Sequence, residues 1–259
     1  MAEPSQIELD VVRRLIGGAH FLTVLTGAGV SAESGIPTFR GPGGLWRTFR
    51  AEDLATPEAF LRNAKLVWEW YDWRRGLIAK AEPNPGHRAI AAWERILPGF
   101  TLITQNVDGL HDRAGSRNVL KVHGDIWEMR CFECGVRKVD LRAPLPVLPP
   151  KCARCGGLMR PGVVWFGESL SEDVWMRAEQ AARASDIFLV AGTSAQVYPA
   201  AGLVSLAKHA GAVIVEVNLE ESGVSSIADA VLRGPAGEIL PQLAPTNKRP
   251  DEAARSIRP

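Results

Sequence analysis

The sequence predicts an α/β protein, a parallel β-sheet covered by helices on both faces and carrying a small inserted zinc-binding module. Three observations point there. Short apolar runs alternate with segments of helical periodicity, and two Cys-x-x-Cys pairs stand close together in mid-chain. The length, 259 residues, suits one large domain or a domain with an inserted module, because single cores stop growing near about 250–300 residues.

Composition removes several classes of function. With 46% hydrophobic and 23% charged residues the chain has the make-up of an ordinary soluble globule. No apolar run approaches the roughly 20 residues of a membrane helix. Thirty Lys+Arg against 29 Asp+Glu leave a formal charge of +1, so no global field draws the chain to nucleic acid or to an anionic bilayer. The opening MAEPSQIELD is acidic at Glu3, Glu8 and Asp10, where a signal peptide is basic and then apolar, which predicts a cytoplasmic protein.

The elements follow in order. Ser5 and Glu8 form a capping-box pattern, and Ile7, Val11 and Leu15 recur every four residues until Gly17-Gly18, which predicts an opening helix. Phe21–Thr26 is short and apolar on both faces, as a buried parallel strand is, and delivers the chain into Gly27-Ala28-Gly29. Similar runs occupy 101–104, 187–190 and 213–217, with another short one at 119–122. Helical patterns span 57–81, 86–97, 171–184 and 199–210. A Pro-rich segment, 143–150, separates the two cysteine pairs, and the polar tail 246–259 has too little apolar content to pack and is expected to be flexible.

Gly27-Ala28-Gly29 directly after a strand fits two readings, a turn whose backbone amides approach a pyrophosphate or a tight structural turn. The usual dinucleotide register requires a second strand ending in Asp or Glu about 20 residues on. Segment 41–56 offers no such strand, which disfavours a standard hydride-transfer enzyme. The Gly- and Pro-rich stretch after Gly35, with Phe39 and Arg40, suggests a loop that closes over a ligand. Gln105, Asn106 and Asp108 follow a buried strand at the carboxyl edge, where open α/β sheets bind ligands; Asn106 and Asp108 also suit the capping of the next helix. His123, after the run 119–122, is placed either as a strand-end general base or as a structural histidine.

Cys131, Cys134, Cys152 and Cys155, the pairs separated by 17 residues, match the paired-knuckle spacing of a four-thiolate zinc site. Four protein ligands leave no open coordination position, so the ion is expected to be structural. The site also takes every cysteine, which removes a thiol nucleophile from consideration. Between 130 and 160 seven basic residues oppose two acidic ones, a local net of +5 that fits either an acidic partner or a solvated surface.

Taken together, GAGVSAESGIPTFR at 27–40, TQNVDGLH at 104–111, His123-Gly124, the two cysteine pairs, VVWFGE at 163–168, Gly192-Thr193-Ser194 and Asn218-Leu219-Glu220 resemble the sirtuins, NAD-dependent protein lysine deacylases. The resemblance runs from about residue 18 to 243. It implies a Rossmann-like NAD-binding domain of residues 1–125 and 162–245, a zinc module of residues 126–161, and an acyl-lysine peptide lying between them. It further implies that Gly27, Ala28, Gly29, Phe39, Arg40, Gln105, Asn106, Asp108, Gly192, Thr193, Ser194, Asn218, Glu220 and Ala236 contact NAD. Val164, Phe166 and Val197 would form the apolar acyl-lysine tunnel.

In the mechanism the resemblance implies, the acyl-lysine amide oxygen displaces nicotinamide from the ribose C1′, with Asn106 and Asp108 placing the reactants. His123 then deprotonates a ribose hydroxyl, and free lysine and O-acyl-ADP-ribose result.

One feature is similar to the desuccinylase and demalonylase branch of that family. Tyr71 and Arg74 stand at i and i+3 on a predicted helix and project from one face, whereas Arg75 is turned about 100° away. A guanidinium at the end of an apolar tunnel favours an acyl group ending in carboxylate, and Ala55 resembles the small residue that widens the tunnel in that branch. Arg74 as a plain surface charge is the competing reading. The expected partners are acylated proteins or peptides met by a monomeric chain, with no membrane and no specific nucleic acid. Two rival functions are a mono-ADP-ribosyltransferase and a zinc-dependent nucleic-acid binder. A remainder of −4 outside the basic module argues against the second.

Overall fold

The computed structural model describes residues 4–39, 44, 45, 48 and 50–245. Arg40 and the tail 246–259 lie outside the described residues. Six strands form one parallel sheet: β1 (Phe21–Thr26), β2 (Gly99–Thr104), β3 (Val119–Lys121), β7 (Ile187–Ala191), β8 (Val213–Asn218) and β9 (Ala230–Arg233). Their order is β3-β2-β1-β7-β8-β9. The chain therefore grows outward from β1 first to one side and later to the other. Strand order reverses at β1, and open sheets of this kind form a crevice at the carboxyl ends beside such a reversal.

Alternate residues of these strands serve opposite layers. Leu22, Val24 and Leu102 pack with Leu9, Val12 and Ile16 of α1 (Gln6–Gly18), with Ile90 and Trp93 of α5 (Pro85–Ile96), and with Ile239 and Leu240 of α9 (Ala236–Gln242). Leu25, Ile103, Phe188 and Ile214 face Ala178 and Ala182 of α7 (Glu172–Ala184) and Leu203 and Val204 of α8 (Gly202–His209). This is a Rossmann-like arrangement, helices on both faces of a parallel sheet. Among the described residues no helix is long and apolar enough to cross a membrane.

α1 carries the expected capping box, with Ser5 Oγ accepting from the Glu8 amide and the Glu8 carboxylate accepting from the Ser5 amide. Its buried face differs from the expected one. Leu9, Val12 and Ile16 are inside, whereas Ile7, Val11 and Leu15 are exposed. The helical run expected over 57–81 is two helices, α3 (Pro57–Arg62) and α4 (Ala64–Lys80), following the short α2 (Ala51–Leu54). Asn63 ends the first and caps the second, its Oδ1 accepting from the Leu66 amide at 3.0 Å.

A second sheet, order β5-β4-β6, is antiparallel and built from β4 (Gly124–Cys131), β5 (Arg137–Val139) and β6 (Met159–Val163). Its core is shared with α2, α3 and α4 through Phe60, Trp68, Met129, Met159 and Trp165. The two CxxC turns lie at one end of this sheet.

Candidate active site and zinc centre

The carboxyl ends of β1 and β2 meet in a buried polar network. Ser31 Oγ donates to Asp108 Oδ2 at 2.8 Å and accepts from Asn106 Nδ2 at 3.2 Å. The same oxygen lies 3.3 Å from His87 Nε2. Because Ser31 has spent its single proton on Asp108, His87 must donate here from Nε2, and its Nδ1 then accepts from the Asn84 amide at 3.4 Å. Asn106 Nδ2 also donates to the Gly27 carbonyl at 3.0 Å, which fixes the amide plane. Asp108 does cap the next helix, α6 (Leu110–Ala114), since its Oδ1 accepts from the Leu110 amide at 2.9 Å. Its other oxygen, Oδ2, is left to Ser31, so the cap does not use up the carboxylate. Burial raises the Asp108 carboxyl above its ordinary value, against the two hydrogen bonds that lower it.

Behind this layer, Thr26 Oγ1 donates to Thr104 Oγ1 at 2.8 Å and lies 3.0 Å from His111 Nε2. Thr104 Oγ1 also accepts from the Asn106 amide at 3.0 Å. Ser31, Thr26, His87 and His111 had no assigned role in the sequence. The available signal was polar residues inside apolar runs and in the Asn84-Pro85-Gly86-His87 helix start.

The glycine turn is shaped by a neighbour in the fold. A Cβ on Gly27 would stand 2.6 Å from Thr193 Cβ, and one on Gly29 would stand 2.8 Å from Gly192 Cα. Gly29 donates its amide to the Gly192 carbonyl at 2.7 Å, and Gly192 itself has φ of +58°. Thus 27–29 and 192–193 abut backbone to backbone. Gln105 Nε2 donates to Thr193 Oγ1 at 3.0 Å and Asn218 Nδ2 to the Thr193 carbonyl at 2.8 Å, which ties the ends of β2, β7 and β8 together. Ser194, half-buried, accepts from the Gly223 amide through its carbonyl at 3.0 Å. Glu220 is exposed, and Ala236 is buried at the start of α9, whose Gly237 amide donates to Glu33 at 2.6 Å. The structure joins neither of these two to the network around Asn106.

His123 lies just past β3. Its Nδ1 is 3.2 Å from the Gln105 carbonyl, an oxygen that only accepts, so Nδ1 carries the proton and Nε2 keeps its lone pair. Burial lowers its pKa below 6.5, outweighing the hydrogen bond that raises it. The His123 carbonyl accepts from the Val164 amide at 2.9 Å, and the Ala55 carbonyl from the Phe166 amide at 3.0 Å. The segment after β6 therefore runs between His123 and the end of α2. Val164 is half-buried and Phe166 exposed at its surface; Val197, half-buried, lies in the β7–α8 connection.

On α4, Tyr71 and Arg74 are both buried. The Arg74 guanidinium sits 4.5 Å from the Phe39 ring centroid and 5.0 Å from that of Trp70. It lines a narrow cavity together with Ala28, Ser31, Phe39, Asn106, Val107 and Asp108, and a neighbouring depression with Trp73 and Leu77. Among the described residues it makes no hydrogen bond or ion pair. Desolvation lowers its pKa, opposed by Tyr71 and Asp108. The surface-charge reading of Arg74 is thereby excluded. Arg75, turned to the other side, is also buried and donates to the carbonyls of Ile126, Asp140 and Arg142.

The four cysteine Sγ atoms lie within 4.8 Å of one another, Cys131 to Cys155 at 3.5 Å and Cys134 to Cys152 at 3.7 Å. Thiolates about 2.3 Å from a central tetrahedral ion stand roughly 3.8 Å apart, so the set fits one structural zinc. The Cys134 amide donates to Cys131 Sγ at 3.4 Å, a contact that orients the sulfur and favours the thiolate.

Comparison with known proteins bears on the same residues. A model of the Sir2 family matches residues 27–199, the span from the glycine turn past Gly192-Thr193-Ser194. The NAD-dependent protein deacylase of Aquifex aeolicus (strain VF5) is 60% identical over 208 residues, covering 80% of this chain and 87% of its own. NAD-dependent protein deacylase 2 of Pyrobaculum aerophilum is 51% identical over 248 residues, covering 96% and 99%. Among solved structures, a Sir2 homologue mutant in complex with ADP ribose superposes with a TM-score of 0.88 at 46% identity, covering 96% of this chain and 99% of that one. A Sir2 homolog–NAD complex gives a TM-score of 0.87 at 44% identity, covering 100% and 98%. Sheet order, the crevice at β1 and these likenesses over nearly the whole chain agree, and the chain belongs to the Sir2 family.

Proposed function

We propose that this chain is an NAD-dependent protein lysine deacylase that removes succinyl and malonyl groups, and more weakly acetyl groups, from lysine, yielding nicotinamide and O-acyl-ADP-ribose. Family membership and relatives named as NAD-dependent protein deacylases support the reaction class. The acyl preference rests on one observation. Arg74 is a buried cation without an ion-pair partner among the described residues, and it lines the cavity that also contains Asn106 and Asp108. Burying a guanidinium against ring faces with no bonded carboxylate is costly, and a carboxylate at the end of the acyl chain would relieve that cost.

NAD, when bound, supplies an electrophilic ribose carbon with nicotinamide as leaving group. Asn106, its amide plane locked by Gly27 and Ser31, orients the groups that meet there, and Asp108 is held by Ser31 to receive or place a carboxamide. His123 keeps a free Nε2 lone pair and accepts the proton of a ribose hydroxyl. Gly27–Gly29, Phe39, Gln105, Gly192–Ser194 and Asn218 frame the cofactor crevice, with Glu220 and Ala236 as further contacts of the cofactor. Ala55, Val164, Phe166 and Val197 line the lysine channel. In this reading residues 126–161 form a zinc module between the two Rossmann-like segments.

The test uses one peptide in acetyl-lysine and succinyl-lysine forms, with NAD added or withheld and products read by mass spectrometry. Both should lose their acyl group only with NAD, the succinyl form with the higher kcat/KM. Arg74→Met should lower the succinyl-to-acetyl ratio of kcat/KM by about 10- to 150-fold, the range for one charge-assisted hydrogen bond. An unchanged ratio would sink the acyl assignment, and a peptide gaining ADP-ribose would favour the transferase reading.

A further inference from the structure

The Tyr71 hydroxyl has a direction as well as a place. Trp165 Nε1 donates to Tyr71 Oη at 2.9 Å, and both side chains are buried. An indole nitrogen only donates, so Tyr71 is the acceptor in this bond and its own proton must point elsewhere. Among the described residues that proton meets no acceptor. Burial pushes the Tyr71 pKa up to about 12, so the proton stays on the oxygen throughout the neutral range.

Trp165 is held so that it cannot swing away. The Arg160 guanidinium lies 3.5 Å from its ring centroid, and the Phe60 ring is 5.4 Å away on a tilted approach. The Trp165 amide donates to Glu168 Oε2 at 2.8 Å, and Arg160 Nη2 donates to the same carboxylate oxygen at 2.8 Å. A cation over the indole face also strengthens its N–H as a donor.

We infer that Trp165 is a specificity-positioning residue: by occupying the acceptor side of Tyr71 it leaves the phenol O–H as a free donor, so that this neutral donor and the Arg74 cation, three residues apart on α4, together serve the carboxylate of an acidic acyl chain. This rests on the acidic-acyl reading above. An acetyl group has no carboxylate to use the pair, so Trp165 acts on discrimination between acyl groups rather than on the shared chemistry.

Trp165→Phe keeps an aromatic ring against Phe60 and Arg160 and removes the N–H. The succinyl-to-acetyl ratio of kcat/KM should fall about tenfold, the scale of one net hydrogen bond, and Tyr71→Phe should lower it by at least as much. The double variant Trp165→Phe/Tyr71→Phe should fall no further than Tyr71→Phe alone, because both changes remove one device. If Trp165→Phe lowers both substrates equally, Trp165 is merely structural and the inference fails. If Tyr71→Phe and Arg74→Met lower the ratio and Trp165→Phe does not, the inference falls and the acidic-acyl reading stands. If none of the three moves it, that reading falls as well.

Indole ¹⁵N–¹H spectra of the zinc-loaded full chain decide the matter should Trp165→Phe fail to fold. One indole resonance should shift in Tyr71→Phe and, in the wild type, on binding succinyl-lysine peptide but not acetyl-lysine peptide. No indole response to Tyr71→Phe would overturn the inference.

Discussion

Proton directions around the crevice are set one residue at a time. Ser31 Oγ accepts from two donors and gives its proton to Asp108, so its hydroxyl is saturated and cannot rotate without breaking a buried bond. His123 shows the same logic applied to a base. Its Nδ1 proton is pinned by the Gln105 carbonyl, and burial depresses the imidazolium. The neutral, competent form therefore persists to pH values below 6.5, and activity should be lost only as pH falls through that depressed pKa. The pH profile of kcat/KM should be flat through neutrality with its acid limb below 6.5; a limb centred above pH 7 would contradict the assignment. His123→Tyr should abolish NAD-dependent release of both acetyl and succinyl groups while urea unfolding remains near wild type. Product formation by that variant would remove His123 from the chemistry.

α4 joins the two parts of the molecule through adjacent arginines with opposite duties. Arg74 points into the cavity, while Arg75 donates to three carbonyls of the second sheet and its flank and stacks 5.0 Å from the Trp127 ring centroid. Removing the Arg75 guanidinium would take its donors away from all three carbonyls, those of the buried Ile126 and Asp140 among them. Arg75→Met should destabilise the chain by about 2–4 kcal/mol in urea unfolding, and Arg75→Lys should recover only part, since one ammonium cannot fork to the same set. A loss near zero for Arg75→Met would show that the sheet docks by its apolar contacts alone. Spacing made the i, i+3 relation of Tyr71 and Arg74 legible, but it gave no sign that Arg75 is buried too. The four long central strands were legible because strands buried on both faces read as continuous apolar runs. α1 was legible as a helix and not as to its face, since Ile7/Val11/Leu15 and Leu9/Val12/Ile16 are equally good apolar stripes and only the sheet beneath decides between them. β4 and β5 were hidden because β5 is wholly exposed and β4 only intermittently buried, so no period-2 pattern forms. Nothing in residues 57–81 beyond Asn63 itself marked the break, and an isolated Asn inside an apolar pattern is a weak helix stop.

Across the whole molecule, the same burial that prepares the crevice ties stability to pH. His87 joins the start of α5 to the turn after β1, and its pKa is lowered to about 4 by desolvation, with Arg88 adding to the effect. Its geometry explains the cost: the Asn84 amide already points at Nδ1, so a second ring proton would face a donor. The folded state thus holds His87 neutral, while the unfolded chain protonates it near 6.5. Below 6.5 the unfolded state binds more protons, and stability falls with pH until about 4, where the folded form protonates as well. His111, lowered well below 6.5 by burial and by His87, acts in the same direction. From pH 7 to pH 5, His87 alone should cost about 2 kcal/mol of unfolding free energy. His87→Asn removes the titrating group, so its urea-unfolding free energy should change less than that of the wild type over the same interval, by about that amount. Equal pH sensitivity in the two proteins would mean that His87 is already charged in the fold, or that the crevice relaxes to admit the proton. Either result would also set an Nδ1 proton against the Asn84 amide, so the contact that closes the start of α5 would have to break, while the Nε2 donation to Ser31 would stay as it is.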